Sequence, residues 1–74
     1  MSTETLLHID ESLNDEERNE LLRWLGNRPE GLHPRVQSGK EHLMFVAYNP
    51  EEMCPHDLVA IVGERGLHAQ VVDL

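Results

Sequence analysis

An α+β sandwich in the order βαββαβ is the fold class this chain predicts, and three observations carry it. Apolar residues recur at helical spacing twice, at Leu21, Leu22 and Leu25 and again at Leu58, Ile61 and Val62. Short apolar runs of strand length alternate with them, at residues 5–9, 43–48 and 69–72, with a weaker run at 33–37. Gly, Pro and Asn punctuate the junctions between these segments.

The elements follow in order. Thr5-Leu-Leu-His-Ile9 is the first strand. Ser12 and Asn14 are both helix N-cap residues, and Asp15, Glu16 and Glu17 place negative charge in the first turn, where the helix dipole favours it. Asn14 and Glu17 also have capping-box spacing. The stripe Leu21, Leu22, Leu25 carries the helix, with Trp24 on its flank as a partly buried anchor, and Gly26 and Pro29 end it. His33 to Gln37 is a weak strand anchored by Val36, and Pro34 confines it to an edge or a strand start. Ser38-Gly-Lys-Glu41 has the content of a hairpin turn, and Leu43 to Tyr48 is the clearest strand, stopped by Asn49-Pro50. Cys54 at the N-cap and Pro55 at the first helical position open a second helix, which Gly66 closes. Ala69 to Val72 is the last strand. Right-handed crossovers fold this order into an antiparallel sheet of spatial order 4-1-3-2 with both helices on one face, a ferredoxin-like sandwich.

Composition bounds the function. The 74 residues make one domain, 1–74, near the lower size limit for a self-supporting core, so dimerisation would help it. A formal charge of −8, from 14 acidic and 6 basic residues, disfavours nucleic acid, whose phosphates require Lys and Arg. No long apolar run is present, so no membrane insertion is expected. The start of the chain lacks a basic region before an apolar one, which makes the cytoplasm the expected compartment. A single cysteine excludes a disulfide framework within one chain. There is no Ser-His-Asp set and no Gly-rich phosphate loop, and a short open sandwich encloses little pocket, so a binding protein is expected rather than an enzyme.

From Met44 to Val72 the chain resembles the heavy-metal-associated domain family of small metallochaperones and transporter modules. The resemblance lies in the strand ending Tyr48-Asn49-Pro50, the short loop after it, the helix with Leu58, Ile61 and Val62, the closing Gly66 and the final alternating strand; Gly31-Leu32 resembles the family's Gly-Val. It implies a ferredoxin-like fold and metal handling. Family members bind Cu(I) or Zn(II) through two thiolates in the first loop, where soft sulfur suits the ion. Here that loop reads Asp10-Glu-Ser-Leu-Asn14, without cysteine, so the family's site is carried onto no residue and thiolate-based Cu(I) carriage is not expected.

Strand direction suggests two other constellations. The end of the first strand brings Asp10 and Glu11 to the edge where the third and fourth strands start at His42 and His68, and Asp10 falls between the two histidines, with neighbouring strands about 4.8 Å apart. Two imidazoles and a carboxylate suit a divalent borderline ion such as Zn(II), Ni(II) or Co(II). The competing reading is three exposed polar groups at loop ends. The opposite edge gathers His33, Cys54 and His56, with Met53 beside them; here the competing reading is a small cap residue and solvated imidazoles. His8, in mid-strand, reads as a sheet-face histidine and not a ligand.

The helix-free face supplies the last expectation. The third strand is apolar at consecutive positions, so whichever parity faces the helices leaves an apolar set outside. With Met44, Val46 and Tyr48 inward, that outer set is Leu43, Phe45 and Ala47, joined by Leu6, Val72 and Leu74. Such a patch marks an interface, either a homo-oligomer or a protein partner docked through the sheet; Arg35, Gln37 and Gln70 are long enough to cover part of it.

Overall fold

The computed structural model describes residues 3–37 and 39–72. Ser38, in the predicted hairpin turn, and Leu74, of the predicted outer face, lie outside the described residues. The order is β1 (Thr3–Ile9), α1 (Asp15–Gly26), β2 (His33–Arg35), β3 (Leu43–Tyr48), α2 (Pro55–Gly63) and β4 (Ala69–Val72). The four strands form one antiparallel sheet in the order β2-β3-β1-β4, the spatial order the sequence predicts.

Helix α1 starts where the cap chemistry is strongest. Asn14, and not Ser12, is the N-cap: its Oδ1 accepts the Glu17 N–H at 2.8 Å, and Glu17 Oε1 accepts the Asn14 N–H at 3.0 Å. Helix α2 starts at Cys54-Pro55 as expected, with the Cys54 N–H donating to Asp57 Oδ2 at 2.9 Å. It ends earlier than expected, at Gly63. The N–H groups of Glu64, Arg65 and Gly66 each reach back three residues, to Ile61, Val62 and Gly63, at 3.0 Å. That tighter turn ends the α-helical bonding, and Gly66 then reverses the chain at φ +77°, a conformation open to glycine.

Two strand boundaries also differ. Strand β1 begins at Thr3 and not Thr5, because β3 offers it a partner along its whole length, down to Thr3 opposite Tyr48. Strand β2 stops at Arg35 and not Gln37. Pro34 sits at its centre without an N–H to donate, and only three residues pair with β3 on this edge. Val36, the expected anchor, packs half-buried against the core from just beyond the strand.

Leu21 and Leu25 of α1, and Leu58, Ile61 and Val62 of α2, join Leu7, Ile9, Met44, Val46, Tyr48 and Ala69 in one buried cluster. The strand members share a single face, so both helices cover that face and leave the other without helices. Leu32, in the α1–β2 connection, is also fully buried in this core.

Candidate functional site

The consecutive apolar residues of β3 sort by strand parity. Met44, Val46 and Tyr48 are buried under the helices, while Leu43, Phe45 and Ala47 are half-buried on the open face. The register places Phe45 and Val72 on either side of Leu6, making an apolar row across three strands. Leu6 is only 6% exposed although no helix covers it, so its neighbours on the open face bury it. Of the predicted outer set, Leu43, Phe45 and Val72 keep partial exposure.

Polar side chains frame this row. At the β2 side, Arg35 Nε and Nη2 each donate to a Glu4 carboxylate oxygen at 3.0 Å, a two-pronged pair that spans β3. The same guanidinium lies 4.2 Å from the centre of the Phe45 ring, an attractive contact with the ring's electron-rich face. Arg35 therefore covers part of the patch. Gln70 instead turns toward the strand end and donates to Asp10 at 3.4 Å.

At that end of the sheet the structure gathers three histidines and two carboxylates. The backbone N–H groups of Ile9 and Asp10 donate to the carbonyls of His42 and His68, both at 2.8 Å, which brings Asp10, His42 and His68 to one edge. Their side chains do not converge on one another. Asp10 faces His8 Nδ1 at 3.2 Å, His42 stacks on His8 with ring centres 5.5 Å apart, and His68 Nδ1 bonds Glu11 Oε2 at 2.5 Å. Glu11 also accepts the His68 backbone N–H at 2.8 Å. The hydrogen bonds from His68 hold the Glu11 carboxyl below its usual range, and Glu11 raises His68 above the ordinary histidine value.

One pattern unites the three imidazoles. Each Nδ1 meets an oxygen that can only accept: Asp10 for His8, the Ile9 carbonyl at 2.7 Å for His42, and Glu11 for His68. Each Nδ1 therefore carries a proton, and in the neutral ring each Nε2 keeps its lone pair. Among the described residues, however, no group of three or more His, Cys, Asp or Glu side chains is arranged to hold a metal ion. Strand direction puts Glu11 at this edge with Asp10 but does not pair it with His68, and it leaves His8 apart as a sheet-face residue. The alternation of β1, which sets His8 on the face of Leu6 and two residues before Asp10, was the available signal.

The opposite edge is sparser. His33, Cys54 and His56 are all exposed, and no hydrogen bond or ion pair joins them among the described residues. No helix of the described residues is long and apolar enough to cross a membrane. Comparison with protein-family models, curated proteins and solved structures finds no match to the chain.

Proposed function

We propose that the chain is a ferredoxin-like, non-enzymatic binding module of the cytoplasm, related in scaffold to the heavy-metal-associated domains, which associates with a second copy through its helix-free sheet face. The observation that carries this reading is the Phe45–Leu6–Val72 row, with Leu43 and Ala47 beside it, on a face without helices. Glu4 and Arg35 neutralise each other beside the row, so this part of the face sets no net charge against an approaching copy. Four strands span only about 20 Å, so the contact falls at the small end of stable interfaces and the association is weak. Sedimentation at high protein concentration tests it. A dimer is expected, weakened at least tenfold by Phe45→Glu, since a buried unpaired carboxylate costs several kcal/mol. A strictly monomeric chain at every concentration sinks the reading.

A second reading rests on the imidazole edge. Nδ1 atoms tied to carboxylate or carbonyl oxygen are how proteins orient histidines that ligate metals through Nε2. His42, His68 and Asp10, with His8 and Glu11, would hold a divalent ion such as Zn(II) after their side chains turn toward one another. Calorimetric titration with Zn(II) should show one saturable site that disappears in His42→Ala/His68→Ala. Heat unchanged by those substitutions discards the metal.

A further inference from the structure

Trp24 lies on the helix layer, away from both surfaces above. It lines a cleft of about 260 Å³ together with Glu20, Arg23, Asn27 and Arg65. Two guanidiniums flank its ring, Arg28 at 5.0 Å and Arg65 at 5.3 Å from the ring centre. Arg28 is already neutralised: its Nε and Nη2 bond both Glu30 oxygens at 3.0 Å, and its Nη1 lies 3.6 Å from Glu64. It therefore acts as a fixed wall behind Trp24.

Arg23 and Arg65 differ. The chain has six cationic residues, and Arg18, Arg28 and Arg35 each pair with a carboxylate. Arg23, Arg65 and Lys40 form no ion pair among the described residues, and two of these three line this one cleft. In a chain with 14 acidic residues, two exposed guanidiniums that form no ion pair and outnumber the single carboxylate of the same opening, Glu20, are a local reversal of charge. Arg65 also rests on Trp24, so part of the ordering cost of holding its fork in place is already met. The Asn27 side chain adds a neutral amide at the rim.

We propose that this cleft binds a small ligand through a carboxylate or phosphate group clasped between Arg23 and Arg65. The planar fork of each guanidinium matches two oxygens of such a group. Glu20 lines the same cleft and opposes the anion, so the ligand's charged group sits on the Arg23–Arg65 side and Glu20 holds the affinity down. The opening is shallow and broad, and its volume suits a small charged group.

Trp24 is the chain's only tryptophan and lines this cleft, so its fluorescence follows occupancy there. Succinate and inorganic phosphate, each titrated at ionic strength held constant with sodium chloride, should change the emission saturably. A response to just one of them supports the site and names the group it takes. Arg23→Gln/Arg65→Gln should weaken the response by about tenfold or more, the usual cost of losing charge-assisted hydrogen bonds. Glu20→Gln should strengthen it, and provides an independent test if the double variant folds poorly by circular dichroism. A chloride titration matching the other two, or affinities unchanged by all these substitutions, overturns the proposal.

Discussion

His68 and Glu11 stand 57 positions apart in sequence and meet at the head of the sheet, where one carboxylate takes both the ring and the backbone N–H of the same histidine. Both side chains reach solvent, so the pair matters more for proton affinity than for total stability. The sign follows from the two shifts. His68 is raised above 6.5, so its contribution is complete below that value and fades as pH climbs through its folded value. Glu11 is lowered below 4.5, so its contribution is present above 4.5 and fades as pH falls through its folded value. The pair therefore supports the fold between these limits, a window centred on mildly acidic pH. Nuclear magnetic resonance titration should place the His68 midpoint above 6.5, and Glu11→Gln should return it toward 6.5. A midpoint indifferent to that substitution removes the link.

At the scale of elements, what was legible in the sequence depended on whether the signal was local. Asn14 with Glu17, and Cys54-Pro55, start their helices where the cap residues stand, because capping needs only the chain within three residues. The stripes Leu21–Leu25 and Leu58–Val62 bury as their spacing implies. The parity of β3 was legible as a pair of alternatives, and packing chose one of them. Boundaries set by a partner strand were less legible. Thr3 and Glu4 join β1 because β3 is there to receive them, and Gln37 leaves β2 because the pairing ends at Arg35. The candidate site shows the same division. The topology brought Asp10, His42 and His68 to one edge, as strand direction requires. Which side chain turns to which depends on rotamers and neighbours, and there His8 and Glu11 took Asp10 and His68 for themselves.

For the molecule as a whole, its charge sets the terms on which a second copy could approach. Two chains of −8 repel, and the apolar row on the open face must overcome that repulsion. Salt shortens the reach of the repulsion, to about 10 Å at 0.1 M, and leaves apolar burial intact. Association through this face should therefore tighten with added salt, whereas an association held by ion pairs would loosen. The same association feeds into stability, because anything that binds only the folded chain shifts the unfolding equilibrium by mass action. For a chain of this length that unfolds from a dimer, each tenfold rise in concentration should raise the unfolding midpoint by roughly 5 °C, given ordinary unfolding enthalpies. Phe45→Glu should flatten that dependence while leaving the helix-side core of Leu7, Leu25, Met44 and Leu58 untouched, since Phe45 belongs to the other face. Thermal scans across concentration, with and without added salt, thus separate the two faces of one sheet. A midpoint independent of concentration in the unaltered chain would mean that the open face meets no second copy.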